Sequence, residues 1–387
     1  MSYSDPTMKN AVALQNTDKR GKMLKDAQSV YPINLGDCDA DSNLFNCQNV
    51  TLNLATGEVL PHNPDHLLRK VAGAVHDPAA RLPRWDSFLD EIMQGDREKT
   101  RYLQKLFGYC LLGEPVEDKL FLFYGPTTRN GKSTLLDAIS AVFGDYAHDA
   151  PPEMLAEPFA PDGDRPKPAL ASLHGVRLCT INEPSDGLRL NAAQVKAITG
   201  GDKMSVRSIY QKPFEFTPQF SMVINTNHLP NIHDPTLFKS GRVVVIPFER
   251  HFEEYEQDKN LDKVLQSPQG RSAILNWLLE GLNLYRKEGL DPPAAVRNAV
   301  AAYELESDKI QQFMDDHIIT DDPNARTLAD AVYCVYSHWC DRNGYGTESR
   351  KRFSQAFKTK GIEPTRTKRG MEYKGIAVRH SVEPEPF

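Results

Sequence analysis

No stretch of the 387-residue chain is apolar over the roughly 18 to 20 residues that a membrane span requires, which leaves no candidate for a transmembrane helix. The opening residues, MSYSDPTMKN, lack the basic and apolar blocks of a secretory signal, so the expected location is the cytoplasm. Cysteine is sparse: Cys38, Cys47, Cys110, Cys179, Cys334 and Cys340 are scattered, without a CxxC pair or a Cys/His spacing that suits zinc. They are read as reduced thiols. Internal repeats and low-complexity segments are missing too. A positive balance is also lacking, since 46 Lys and Arg face 52 Asp and Glu for a net charge of −6.

The distribution of charge says more than its sum. From Arg350 to His380 ten basic residues face only Glu363 and Glu372, a local +8 that leaves −14 on the remainder. A basic block on an acidic body suggests a face for a polyanion, with a merely solvated surface as the alternative. With 40% hydrophobic residues, the chain can build folded cores. Its length exceeds one usual core and predicts two or three domains.

Periodicity sketches their order. Residues 1–112 read as an N-terminal domain that ends in two helices, with Trp85, Phe88, Leu89, Ile92 and Met93 on one face and Tyr102, Leu103, Leu106, Phe107, Cys110 and Leu111 on another. Residues 113–250 change to short apolar strands, Leu120 to Tyr124, Val176 to Ile181, Phe220 to Asn225 and Val243 to Pro247, separated by turns and helices. That alternation predicts an α/β core on a parallel sheet. Residues 251–310 return to helix, with Ile274, Leu275, Leu278, Leu279 and Leu282 aligned. Residues 311–387 begin with helical spacing of Leu328, Ala331, Val332, Val335, Tyr336 and Trp339, continue with a helix that turns Phe353, Ala356 and Phe357 inward, and end in a hairpin centred on Arg369-Gly370. Helices followed by a basic hairpin resemble a winged helix, for which Arg352, Lys358, Arg366, Lys368 and Arg369 are the expected DNA contacts.

The most informative run is Gly125-Pro126-Thr127-Thr128-Arg129-Asn130-Gly131-Lys132-Ser133-Thr134, between an apolar strand and a helical Leu135-Leu136-Asp137-Ala138-Ile139. Strand, tight turn, Gly-Lys-Ser-Thr and helix in that order make a P-loop. Such a loop aims backbone N–H groups and the positive end of a helix dipole at phosphate oxygens. Lys132 is expected to reach the β and γ phosphates of ATP, Ser133 to hold Mg²⁺, and Thr134 to add a phosphate contact. The spacing departs from strict GxxxxGK[ST]: Pro126 stands where the first glycine belongs, and Gly125 comes one position early.

Binding alone does not give hydrolysis, and two further segments suggest the rest. Val176 to Glu183 is an apolar strand that ends in a carboxylate, as a Walker B element does, with Glu183 placed to polarise water and to face Mg²⁺. Phe220 to Asn227 is a second apolar strand that ends in amides, with Asn227 placed to sense the γ-phosphate. Each alone is equally a strand running into a turn; in order after a P-loop they reinforce one another. Asn182 stands where many P-loop ATPases carry a first acid.

With these segments in place, the chain resembles the superfamily 3 helicases, specifically the helicase part of phage and plasmid primase-helicases, akin to the poxvirus replicative ATPase. The likeness rests on GPTTRNGKST, INEP, TGGDKMSVRSIYQKPFEFTPQF, INTNHLP and FKSGRVVVIPFER, in order. It implies an AAA+-like core with an N-terminal helical domain and a C-terminal winged helix. Lys132, Glu183 and Asn227 match the Walker A, Walker B and sensor residues. Arg242 matches the arginine finger that reaches the ATP of a neighbouring subunit, hence a homo-oligomeric ring, expected to be a hexamer, with Lys239 as a further participant. Here Lys-Ser-Gly precedes Arg242 in place of the tryptophan and arginine of many relatives. The Gly200 to Phe214 segment reads as a β-hairpin, which in this family enters the ring channel. Lys203, Arg207 and Lys212 would follow the phosphates of single-stranded DNA and Tyr210 would stack on a base.

The resemblance thus implies an ATP- and Mg²⁺-dependent replicative DNA helicase of a phage or mobile element, at work in the host cytoplasm on single-stranded and forked DNA and moving 3′ to 5′. A separate or upstream primase is the expected companion. The rival reading is an ATP-dependent initiator or loader that binds origin DNA without processive unwinding. A third, a primase, draws on Asp37-x-Asp39-x-Asp41 as metal ligands, which a polar loop also explains.

Overall fold

The computed structural model describes residues 16–30, 33, 37–157, 168–184, 187–207, 213–343 and 345–379. Its contacts divide the chain into two compact units, one of residues 1–230 and 240–297 and the other of residues 231–239 and 298–387.

In the first unit a helix, Thr17–Val30, precedes a small antiparallel sheet of β1 (Leu44–Asn46), β2 (Thr51–Asn53) and β3 (Glu58–Leu60). Two helices follow where periodicity predicts them, α1 (Pro83–Met93) and α2 (Arg97–Cys110). Pro83 starts the first, and the Asp96 carboxylate caps the second by accepting from the Lys99 amide. The five apolar residues named for α1 are all buried.

The centre of the unit is a five-stranded sheet of β4 (Leu120–Tyr124), β5 (Ala147–Asp149), β6 (Leu178–Asn182), β9 (Ser221–Thr226) and β10 (Val243–Pro247), in the order β10-β4-β9-β6-β5. Every pairing is parallel. The near-continuous apolar character of β4, β9 and β10 follows, because helices or loops cover both faces of a parallel sheet. The predicted strands are present within two residues of their expected ends. β5 was not anticipated: it is three residues long, half exposed, and carries a histidine and an aspartate, so it has no apolar signal. The fold is thus α/β on a parallel sheet, as expected.

Helix α3 (Lys132–Phe143) leaves the end of β4 through the glycine-rich loop, and α4 (Ala192–Thr199) follows β6. Strands β7 (Met204–Val206) and β8 (Phe214–Phe216) pair antiparallel, which places a hairpin between β6 and β9 as predicted. Helix α5 (Pro268–Glu288) buries Ile274, Leu275, Leu278 and Leu282 in the same core as α1, α2 and α3. There Trp85 meets Trp277 edge to face at 5.3 Å. Arg177, buried just before β6, donates to the carbonyls of Leu111 and Leu44 and lies 4.9 Å over the Tyr146 ring, which ties the N-terminal strands to the sheet.

The second unit holds α6 (Lys309–His317), α7 (Ala329–Arg342) and α8 (Arg350–Thr359) around Phe313, which contacts Tyr336, Trp339, Phe353 and Phe357. Strand β11 (Ile318–Ile319) pairs with β15 (Ala377–Val378). Strands β12 (Arg326–Leu328), β13 (Pro364–Thr367) and β14 (Gly370–Lys374) form a sheet in the order β12-β14-β13. The expected hairpin is β13 and β14, with Thr367 opposite Gly370 and Lys368-Arg369 at the turn. Leu328 departs from its predicted inward face: it precedes α7 and is 41% exposed.

The six cysteines are free thiols, as read from their spacing. Among the described residues no helix is long and apolar enough to cross a membrane. Leu278 is fully buried, so Leu278→Ala should destabilise the first unit by about 2–5 kcal/mol. Urea unfolding followed through tryptophan fluorescence would show the loss.

Candidate nucleotide site and nucleic-acid surfaces

The carboxyl ends of β4, β6 and β9 converge on the loop 125–131, and open parallel sheets bind ligands at that edge. Because β9 lies between β4 and β6, the Asn225 to Asn227 amides stand between the loop and Glu183. Sequence order alone does not reveal that interleaving.

Within the loop, Gly125 is hemmed in. A Cβ there would sit 2.3 Å from Asn130 Nδ2, 2.7 Å from the Phe248 carbonyl and 3.0 Å from Lys132 Nζ. This crowding is why a glycine stands at 125 while Pro126 is tolerated next to it. Asn130 is buried and donates to the Thr127 carbonyl at 2.6 Å. His251 donates through Nδ1 to the Thr128 carbonyl, and the Phe252 amide to the Arg129 carbonyl, each at 2.8 Å. Gly131 takes φ +83°, and a Cβ on it would lie 2.4 Å from Ile92 Cγ2 of α1. It caps α3 without a side-chain hydrogen bond, so the first amides of the helix, Lys132, Ser133 and Thr134, have no partner within it.

Lys132 is the electrostatic centre. Its ammonium is buried and donates to Asn227 Oδ1 at 2.8 Å and to the Gly125 carbonyl at 3.4 Å. Burial holds its pKa down at about 8, and the Glu183 carboxylate works in the opposite direction. Glu183 is exposed and has φ +47°, a left-handed conformation that costs a non-glycine residue about 1–3 kcal/mol and is common at functional sites. Its amide donates to the Asn225 carbonyl at 2.9 Å.

A polar chain missed in the sequence runs beside it. Asn225 Nδ2 donates to Ser133 Oγ at 3.2 Å and to Asn182 Oδ1 at 3.1 Å, and Asn182 Nδ2 donates to Asp149 Oδ1 at 2.9 Å. Asn182 was noted only as the place of a missing acid, and nothing in the sequence links Asp149, 33 residues away, to it. Also missed is a cavity of about 300 Å³ beside the loop, lined by Arg84 and Phe88 of α1, by Arg129, Gly131 and Thr134, and by Phe252. Its walls come from three separate segments of the chain.

Arg242 stands apart from this cluster. It donates to Thr199 Oγ1 at 2.6 Å and pairs with Asp118 at 3.1 Å, just before β10. Since Val243 lies opposite Leu120 and Pro247 opposite Tyr124, a full strand separates Arg242 from the loop. Five residues at strand rise span about 16 Å.

Of the nucleic-acid candidates, Lys203 pairs with Glu215 across the β7–β8 hairpin at 2.6 Å. Arg207 follows β7, whereas Tyr210 and Lys212 lie outside the described residues. In the second unit Arg352 pairs with Glu348 at 3.8 Å and Lys358 with Glu363 at 3.1 Å, so helix α8 presents less net charge than its sequence suggests. Among the described residues no ion pair forms to Arg366, Lys368 or Arg369 of the hairpin. Lys239 ends a short helix, Thr236–Lys239, in the same unit. Two carboxylates of the Asp37-x-Asp39-x-Asp41 run accept from backbone amides. Asp39 accepts from the Arg69 and Lys70 amides at 2.8 and 3.1 Å, and Asp41 from the Asn43 amide at 3.0 Å. Among the described residues no cluster of three or more His, Cys, Asp or Glu suits a metal ion.

Comparison with known proteins agrees with the resemblance. A family described as D5 N terminal like matches residues 3–94, and a family of unknown function (DUF5906) matches residues 123–239. "Putative helicase L207/L206" of Acanthamoeba polyphaga mimivirus is 26% identical over 336 residues, 81% of this chain and 34% of that protein. "Putative helicase 022R" of Frog virus 3 (isolate Goorha) is 26% identical over 284 residues, 68% of this chain and 28% of that protein. The chain therefore spans about a third of the length of these relatives. Among solved structures, the A form apo structure of NrS-1 C terminal region-CTR aligns with a TM-score of 0.50 and 11% identity over 88% of this chain and 84% of that one, a likeness of fold. The chain thus carries a D5 N-terminal-like region and has these viral putative helicases as homologues.

Proposed function

We propose that the chain is an ATP-hydrolysing motor of the superfamily 3 type that moves along single-stranded DNA as a homo-oligomeric ring, expected to be hexameric, and unwinds forked DNA during replication of a phage or mobile element. The observation that carries this reading is Lys132: a buried ammonium at the carboxyl edge of a parallel sheet, joined to Asn227 and followed by free helix amides. Burial of an ammonium among neutral acceptors disfavours its charge, and a triphosphate supplies the missing counter-charge.

In this reading the β and γ phosphates of ATP lie on residues 125–134, and the cavity bounded by Arg84, Phe88 and Phe252 takes base and ribose. Ser133, with Glu183 nearby, presents oxygen donors that suit Mg²⁺, a hard cation that neutralises phosphate charge when bound. Glu183 accepts the proton side of the attacking water. Asn227 keeps its oxygen on Lys132 and donates from Nδ2 to the γ-phosphate, so the sensor strand β9 registers whether that phosphate is present. Arg242, a strand length from the loop of its own subunit, serves the site of the next one, which makes a ring the working form.

Lys203, Arg207, Tyr210 and Lys212 of the hairpin contact the strand in the channel. In the second unit, read as a winged helix, Arg366, Lys368 and Arg369 are the foremost phosphate contacts, with Arg352 and Lys358 joining once their acidic partners yield. Family likeness favours 3′ to 5′ travel with a primase as companion, and work in the host cytoplasm.

Wild type should show ATPase activity stimulated by single-stranded DNA, and Lys132→Ala and Arg242→Ala should each lose it. Loss of the trans-acting arginine should cost about 10³- to 10⁵-fold, and mixing the two variants should restore part of the activity, because some interfaces then pair an intact loop with an intact finger. A fork-unwinding assay separates a motor, which releases the strand, from a loader, which hydrolyses ATP without release. Nucleotide affinity should fall as pH rises through about 8, where Lys132 loses its proton in the unliganded state, as isothermal titration across pH 7 to 10 would show.

A further inference from the structure

The position that holds the first Walker B acid in many P-loop ATPases is here a neutral amide, and the structure places a carboxylate one strand away. Asp149 ends β5, paired in parallel with Thr180 of β6, and its Oδ1 accepts from Thr180 Oγ1 at 3.1 Å as well as from Asn182. An ionised carboxylate only accepts hydrogen bonds, so Asn182 must turn its NH₂ toward Asp149 and its oxygen toward Asn225. Asn225 must in turn direct its NH₂ to Asn182 Oδ1 and Ser133 Oγ. The direction of every bond in this chain is therefore set at Asp149. One consequence falls on Ser133: its oxygen accepts from Asn225, which leaves its own O–H proton to point elsewhere.

With a neutral group at 149 the amides lose this bias. Asn225 can then present its oxygen to Ser133, whose proton is consumed within the protein. The exposed Asp149 carboxylate also returns negative charge to the sheet edge where Asn182 supplies none.

We propose that Asp149 is the positioning residue of the cation site: through Asn182 and Asn225 it orients Ser133, and it supplies the outer carboxylate that position 182 lacks. This role rests on the nucleotide reading above. Loss of such an outer partner typically weakens metal affinity by about 10- to 100-fold.

The test measures binding of mant-ADP, a fluorescent ADP, to the full chain in Mg²⁺ and in EDTA, for wild type, Asp149→Asn, and the double variant Asp149→Asn with Asn182→Asp. Wild type should bind more tightly in Mg²⁺ than in EDTA. Asp149→Asn should match wild type in EDTA, with an unchanged unfolding midpoint, yet need about 10- to 100-fold more Mg²⁺ to reach the tight state. The double variant, which moves the carboxylate one strand over, should recover most of that loss. The proposal is overturned if Asp149→Asn responds to Mg²⁺ as wild type does, if it loses affinity equally in EDTA, or if the double variant recovers nothing. Should wild type bind no mant-ADP in either condition, the nucleotide reading fails, and the proposal with it.

Discussion

A single buried ammonium organises the sheet edge. Lys132 sits at the first turn of α3, where its charge is disfavoured by burial and its partners are a carbonyl and an amide oxygen, both neutral. The loop that carries it is held from three sides. Gly131 packs on Ile92 of α1, Gly125 fits among Asn130 and the Phe248 carbonyl, and the Thr128 and Arg129 carbonyls accept from His251 and Phe252. A site so braced is preorganised, and in the proposed function a polyphosphate brings the counter-charge.

The order of strands turns this local arrangement into a device. Inserting β9 between β4 and β6 brings Asn225 and Asn227 against both Ser133 and Lys132, so one strand touches the loop and the carboxylate-bearing edge together. The parallel direction of all the pairings has a second effect. Residues that follow strands gather at one edge, and Arg242, which precedes β10, is held at the other. In the proposed ring, Arg242 at one edge meets the loop of a neighbouring copy at the other.

Much of the fold was legible because its signals are local. The runs LFLFY, SMVINT and VVVIP announce buried strands, and Trp85, Phe88, Leu89, Ile92 and Met93 announce a helix by spacing alone. The hairpin of Thr367 and Gly370 was readable from its turn residues. Strand β5 was not, since its three residues owe their conformation to the edge of β6 that they extend. Likewise the basic count between residues 350 and 380 overstates the charge that α8 presents, because Glu348 and Glu363 answer two of its cations.

The sequence by itself determined the chemistry on offer: a glycine-rich turn between an apolar strand and a helix, a carboxylate and amides at strand ends, and an uneven charge. These follow from backbone sterics and side-chain periodicity over a few residues. Only the tertiary structure decided which groups meet. Asp149, Asn182, Asn225 and Ser133 are distant in the chain and become one hydrogen-bonded line because strand order, which depends on packing of the whole sheet, sets them side by side. The same packing keeps Arg242 away from Lys132, a separation that no spacing along the chain expresses.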